Sequence, residues 1–337
     1  MLTDDWFNYI LVLLLLFTIL FHKYAMRTGY LIIDLPIMLV VLTLTICVEL
    51  ITSILPTFLP IFKQQKLNGK IVLLTGAGSG IGRETSLELC RQGCILILFD
   101  MDEEGNEKTC RLIRENGGIA YPYTVDVSDR DALEEAAESV VTEHRHIDIL
   151  VCNAGILHIQ RLYNLQHYEI EQLLTVNFLS IVYLTKFFLN KMIEHGKESH
   201  IVCIASSYSL RGSTHATHYS ASKGAISNYC ISLMQELSRI NCKYVHVSVV
   251  YPTFVNTPLI SSLSKYFEYL KPIGADEVAK QIVKGIRKYK ESIYIPYYLK
   301  ILSFIVFLTP TTFANLLQRF MFKGKKFDPI QPNEMFD

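Results

Sequence analysis

From residue 70 onward the chain alternates short apolar runs with stretches of helical periodicity. Residues 71–74 and 94–99 read as buried strands, being short and almost wholly aliphatic or aromatic, and 120–125, 147–152, 201–204 and 245–250 read as further strands. Between them, 81–92, 103–116, 170–195 and 221–240 read as helices, with another opening at Ser128 as its cap and running to about Arg145. A helix over 276–289 and a seventh strand at 293–295 complete the pattern. Gly93 and the pair Gly117 and Gly118 stop two of the helices. Strands and helices in alternation, with no two-residue hairpin turns, mean parallel pairing through right-handed crossovers. The expected fold class is α/β, a doubly wound parallel sheet of about seven strands. Its ligand belongs beyond the carboxyl ends of the strands, at the switch point.

The pattern before residue 70 is different. Residues 6–21 are nearly free of charge and sit at the short limit for a spanning helix, with His22, Lys23 and Arg27 behind them. A second apolar run, 37–62, carries Glu49, Pro56 and Pro60 and is followed by Lys63, Lys66 and Lys70. Asp4 and Asp5 stand where a signal peptide is basic, and no small-residue cleavage site follows, so a membrane anchor is the expectation. Basic residues on both sides of the second run favour both of its ends facing the cytosol, which a hairpin or interfacial segment satisfies and a single crossing does not. The expected organisation is a membrane anchor over 1–66 (one crossing helix plus that segment), a catalytic domain over 67–298 in the cytosol, and an apolar helix with its tail over 299–337. Residues 299–308 are too few to span a bilayer. They could lie on the membrane or cover the mouth of the site.

Composition narrows the classes. The 337 residues hold 32 Lys plus Arg against 32 Asp plus Glu, and a neutral chain gives no reason to expect nucleic acid. The eight cysteines and ten histidines show no zinc-type spacing, and no metal is expected. Scattered cysteines without a sequon suit reduced thiols in a cytosol-like medium. A hydrolase is disfavoured, because no G-x-S-x-G elbow occurs.

The chemistry sits at strand ends. T-G-A-G-S-G-I-G, from Thr75 to Gly82, joins the first strand to its helix. Gly76, Gly80 and Gly82 permit a tight turn and a close backbone approach to a pyrophosphate, with helix N–H groups and the dipole's positive end facing it. Such a Rossmann turn is built to hold a dinucleotide. Asp100, twenty residues past Gly80, ends the second strand, where a carboxylate accepts bonds from the ribose hydroxyls and repels a 2′-phosphate. Neither Ser79 nor Met101 brings a positive charge, so NAD is favoured over NADP. Asp126 either reaches the adenine or shapes a turn. Asn153, Ala154 and Gly155 end the fourth strand, where small residues let the sheet approach the cofactor, and Asn153 alternatively ties strands together.

Tyr219 and Lys223 lie one helical turn apart, as neighbours on one face. An alcohol loses a proton as hydride leaves its carbon. A free phenol near pKa 10 is a poor base at neutral pH, and a nearby ammonium can lower it. Ser206, thirteen residues upstream of Tyr219, can hold the substrate oxygen beside it. Asn177, a costly choice inside a helix, could hold a water that relays protons toward Lys223. Leu259, Leu263, Tyr266, Phe267, Tyr269 and Leu270 would form an apolar lid suited to a retinoid, sterol or fatty alcohol.

In this order the motifs resemble the short-chain dehydrogenase/reductase family over about residues 69–295. The matching pieces are the glycine turn, Asp126 with Val127, N-A-G, Asn177, Ser206, Y-S-A-S-K from Tyr219 to Lys223, and Pro252 with Thr257. The resemblance implies Tyr219 as acid/base, Lys223 as its partner, Ser206 as substrate orienter and Asn177 as relay. It further implies cofactor contacts from Ser79, Ile81, Val127, Pro252, Val255 and Thr257. Ser209 and Thr253 stand where the family often has glycine. F-D-M-D-E-E-G-N-E, F-V-N-T and I-Y-I-P-Y-Y are similar to the membrane-bound branch containing 17-beta-hydroxysteroid dehydrogenases types 11 and 13 and epidermal retinol dehydrogenases. That branch implies a lipophilic alcohol or ketone, an endoplasmic reticulum membrane or lipid droplet, and a homodimer.

Overall fold

In the computed structural model the residues described are 64–260 and 272–308, with Val40 and Thr43. The anchor expected over 1–66 lies almost wholly outside them, as do most of the expected lid and the tail beyond 308.

The strands are β1 (Ile71–Thr75), β2 (Ile95–Asp100), β3 (Ile119–Thr124), β4 (Ile149–Cys152), β5 (Ser199–Ile204), β6 (Val245–Pro252), β7 (Val255–Asn256), β8 (Ile273–Gly274) and β9 (Ser292–Ile295). Seven of them form one sheet in the order β3-β2-β1-β4-β5-β6-β9, every pair parallel. The reversal of direction between β1 and β4 is the switch point. β7 and β8 make a separate two-stranded ribbon that the sequence pattern does not reveal.

The helices are α1 (Gly80–Arg91), α2 (Glu103–Glu115), α3 (Arg130–His144), α4 (His167–Leu174), α5 (Ser180–His195), α6 (Thr217–Arg239), α7 (Ala275–Arg287) and α8 (Tyr298–Leu308). They cover both faces of the sheet. Leu73, Ile97, Leu150 and Ile201 face one core with Leu133, Leu184, Phe188 and Ile226. Val72, Leu96, Ile149 and Val202 face the other with Leu89, Ile113, Val278 and Ile282. Burial on both faces is why these strands read as continuous apolar runs.

Two elements depart from the sequence pattern. Ser128 does not cap α3. Asp129 does, its carboxylate accepting from the N–H groups of Asp131 and Ala132. Ser128 instead donates its hydroxyl to Asp126. α6 begins at Thr217 rather than 221, which brings Tyr219 and Lys223 inside one regular helix.

The helical stretch His167–His195 is long and apolar enough to cross a membrane by length and composition. It covers the sheet instead, with Leu173, Ile181, Leu184, Phe188 and Met192 buried. A π turn over Thr175–Leu179 interrupts it.

At the other end of the sheet, Lys70 pairs with Asp148 at 2.6 Å, and the Ile71 N–H donates to the same buried carboxylate. This fastens the entry of β1 to the entry of β4.

Candidate active site

The carboxyl ends of the strands surround a cavity of about 300 Å3. Gly76, Ser79, Gly80, Ile81, Asp100, Asp126, Val127, Asn153, Ala154, Gly155, Ser206, Tyr219, Lys223, Pro252, Val255 and Thr257 all line it. Of the cofactor and catalytic residues expected from the sequence, Gly82 and Asn177 are not among those lining it.

The glycine turn fits a dinucleotide. Gly76 and Gly80 have φ of 71° and 54°, the left-handed region open to glycine. A Cβ on Gly76 would stand 2.9 Å from the Ala154 backbone, and one on Gly82 would enter the Gly76 carbonyl oxygen. These close approaches let β1 and α1 meet. The first turn of α1 carries no acidic residue, and Ser79 makes no side-chain cap bond. The positive end of the helix dipole therefore faces the cavity uncompensated, as an anion requires.

The polar residues around the turn divide between holding the loop and facing the ligand. Asn153 ties strands, its amide donating to the carbonyls of Thr75 and Gly76 and its N–H to Thr75 Oγ1. Asp100 Oδ2 accepts from the Gly78 N–H at 2.7 Å, and Asp102, not Asp100, caps α2. A carboxylate has further lone pairs to offer a ribose. Asp126 shapes its turn through the N–H and hydroxyl of Ser128.

At the catalytic end Tyr219 is 9% exposed and Lys223 4%. Lys223 Nζ donates to the Ile204 carbonyl at 2.9 Å and lies 5.8 Å from the Tyr219 ring centroid. Burial pushes the Tyr219 phenol up to about 12, while a bond from the Ser206 hydroxyl pulls the other way. Burial likewise pushes Lys223 down to about 8. The lowered phenol expected from the sequence is not what the chain alone provides: desolvation outweighs the Ser206 bond.

Ser206 caps a short 3-10 turn, Ser207–Ser209, by accepting from the Tyr208 N–H. Ser209, the departure from glycine, donates to the Lys223 carbonyl and accepts from the Ser206 N–H. It therefore links the turn that Ser206 caps to the helix that carries Tyr219. Asn177 sits in the π turn and is fully buried. Its amide donates to the Ile156 carbonyl and the Ser222 hydroxyl, and its Oδ1 accepts from the Ile156 N–H. The side chain is thus committed to anchoring the loop after β4.

The sequence pattern missed Gln172, Val176, Ile156 and Leu157, which also line the cavity. The i, i+4 spacing of Gln172 and Val176 is the one signal that could have found a pair of them. Tyr208, packed edge-on against Tyr219 at 5.9 Å, gave no signal.

Comparison with known proteins agrees with this fold. The profile described as short chain dehydrogenase matches residues 70–266. Human epidermal retinol dehydrogenase 2 is 34% identical over 249 residues, 73% of this chain and 79% of that protein. Rat estradiol 17-beta-dehydrogenase 11 is 31% identical over 295 residues, covering 87% and 96%. Human 17-beta-hydroxysteroid dehydrogenase 13 is 31% identical over 282 residues, covering 83% and 92%. Among solved structures, a short chain dehydrogenase/reductase from Burkholderia phymatum in complex with NAD superposes with a TM-score of 0.65 at 22% identity, over 79% of this chain and 99% of that one.

Proposed function

The chain belongs to the short chain dehydrogenase family and is an oxidoreductase acting on alcohols, and from that premise we propose that it oxidises a lipophilic alcohol, a retinol, hydroxysteroid or similar molecule, with NAD. The carrying observation is that Ser206, Tyr219 and Lys223 line the same cavity as the glycine turn. A nicotinamide dinucleotide held there supplies the hydride acceptor. The protein's part is to take the alcohol proton at the Tyr219 hydroxyl, to hold the substrate oxygen with Ser206 and to keep a cation beside the phenol with Lys223. Asn177 supports a proton path toward Lys223 through the loop it anchors.

Leu157, Val176, Leu259 and Ile260 give the cavity apolar walls, which suit a lipophilic substrate. The apolar runs before residue 63 support an anchor over 1–66 that places the catalytic domain, 67–298, on the cytosolic side of an endoplasmic reticulum membrane or a lipid droplet. α8 begins the apolar segment that follows it. Pairing of two copies through α4–α5 and α6 belongs to the same reading.

The test is NADH formation by the full chain in detergent with retinol, estradiol and long-chain alcohols. Turnover of none of them sinks the substrate class. Asp100 supports NAD over NADP, because the only cation among the described lining residues is Lys223. Replacing Asp100 with serine and Met101 with arginine should move the kcat/KM ratio of NADP to NAD upward by tenfold or more. An unmoved ratio means the ribose is held elsewhere.

The same groups serve the reverse direction, carbonyl reduction: the phenol raised by burial is protonated at neutral pH and can donate to a carbonyl oxygen. The two directions then differ in pH dependence. Oxidation needs the deprotonated phenol, so its kcat/KM rises between pH 6 and 9, by up to about tenfold per unit. Reduction needs the protonated form and stays level over that range. An oxidation profile that stays level from pH 6 to 9 would contradict Tyr219, with its raised phenol, as the base. A third reading, a non-catalytic membrane scaffold on the same fold, conflicts with the intact constellation.

A further inference from the structure

Cations gather where α7 gives way to β9, at the amino end of that strand and remote from the cavity at the carboxyl ends. Lys284 and Lys288 lie one turn apart at the end of α7, Arg287 is its last residue, and Lys290 stands in the turn that follows. Lys284 and Lys290 are exposed, and Arg287 and Lys288 half-buried. Desolvation and the ammonium groups of Lys288, Lys284 and Lys300 hold Lys290 below the usual lysine range. Arg287 turns its guanidinium to the side-chain amides of Gln64 and Gln92 rather than to a carboxylate. The carboxylates of the surrounding elements answer to other partners: Glu88 on α1 pairs with Arg91 at 2.8 Å, Asp276 with Lys280 at 3.0 Å and Glu198 with His246 at 2.9 Å. Glu291, exposed beside Lys290, is the opposing charge.

Like charges four residues apart destabilise a helix, and the helix dipole offsets this for the last turn of α7. The dipole offers nothing to Lys290 or Lys66, which lie outside the helix. The second observation is where the chain enters the domain. The Gln65 N–H donates to the Arg287 carbonyl at 2.8 Å, and the Arg287 guanidinium donates to Gln64 at 3.1 Å. Residue 64 is thus fastened beside the lysines, with Lys66 exposed next to it. Phe62, which ends the apolar run 37–62, stands two residues before Gln64, a reach of about 7 Å at most. That is inside the screening length of about 10 Å at 0.1 M salt.

We propose that Lys66, Lys284, Lys288, Lys290 and Lys300 form a surface that docks the catalytic domain onto anionic phospholipid headgroups. The surface rests on the reading of 1–66 as a membrane anchor, which brings this face within reach of the headgroups. A phospholipid anion sets negative charge among ammonium groups that otherwise repel one another. Each lysine near an anionic bilayer strengthens attachment by about fivefold. These residues serve no step of hydride or proton transfer. They orient the domain and select membranes rich in anionic lipid.

The experiment places the full chain in nanodiscs of phosphatidylcholine, with and without phosphatidylserine. Acetylation of each lysine by a water-soluble ester is timed and read by mass spectrometry. With phosphatidylserine, Lys284, Lys288 and Lys290 should react about threefold or more slowly than without it, and about 0.5 M NaCl should abolish the difference. Lys108 on α2 and Lys186 on α5, both exposed, are the controls and should react alike in both discs. In the double variant Lys284→Gln with Lys288→Gln, Lys290 should lose its protection, while the melting temperature and alcohol turnover stay at the parent's values. Equal rates in the two discs, equal protection of the controls, or protection of Lys290 that survives the double variant or high salt would each overturn the docking surface. Flotation of the full chain with vesicles of the same lipids keeps the two readings apart. Flotation with both kinds at high salt, without lysine protection in the discs, upholds the anchor and refutes the surface. Flotation with phosphatidylserine vesicles alone, lost at high salt, refutes the anchor and upholds the surface. Flotation with neither refutes both.

Discussion

Replacing Tyr219 with phenylalanine is expected to lower alcohol turnover by about three orders of magnitude or more. The substitution removes one oxygen and keeps the ring. The edge-on packing against Tyr208 at 5.9 Å survives, as does the buried position on α6. What disappears is the hydroxyl that bonds Ser206 and exchanges the proton. The loss in stability should be small, on the order of 1 kcal/mol for one hydrogen bond. Single-turnover NADH formation measures the chemical step, and NADH fluorescence shows whether the dinucleotide still binds. Full cofactor binding with collapsed turnover is the expected pair of results. Turnover equal to the parent's would remove Tyr219 from the mechanism.

The second large effect is at Gly82. A methyl group there enters the Gly76 carbonyl oxygen and stands 2.6 Å from Asn153 Nδ2. Both neighbours belong to the knot that joins β1, α1 and the end of β4, so neither can yield without opening the cradle. Gly82→Ala should therefore weaken dinucleotide affinity by about a hundredfold or more, or prevent folding, overpacking alone costing roughly 1–3 kcal/mol. Gly224 supplies the control. It lies in α6 beside Lys223, and an added Cβ meets nothing within 4 Å. Gly224→Ala should be neutral or stabilising, since alanine is favoured over glycine in a helix by up to about 1 kcal/mol. NADH titration and thermal melting of both variants check the contrast. Equal behaviour of the two would mean the glycine turn is not the tight packing point described.

Much of this architecture is legible in the chain itself, for a physical reason. Strands buried on both faces must be apolar throughout, so 71–74 and 201–204 announce themselves, and the helices between them carry their periodicity openly. The glycine turn and the Tyr219–Lys223 spacing are local and therefore readable. What stays hidden depends on partners distant in sequence. Nothing near Asn177 says that its amide will hold the Ile156 backbone. Ser209 reads as a departure from glycine until its hydroxyl is seen joining Lys223 to Ser206. The pKa values of Tyr219 and Lys223 also escape the sequence, because desolvation is a property of the assembled wall. The choice of Ser128 over Asp129 as cap failed for a smaller reason: two adjacent capping residues compete, and Asp126 had already claimed the serine.

The stretch His167–His195 carries a warning for any topology drawn from hydropathy alone. A scan of the chain counts it as a span, yet its apolar side is what shields the sheet from water. Counting it would flip the assigned side of everything downstream, Tyr219 included. The same property acts during synthesis: these residues leave the ribosome before β5 and α6, against which they settle, have been made. Their correct partner is still missing while any nearby bilayer is already present. Slowing translation just after residue 195 would lengthen that interval, and an increase in protease-protected, misplaced protein is the outcome to look for.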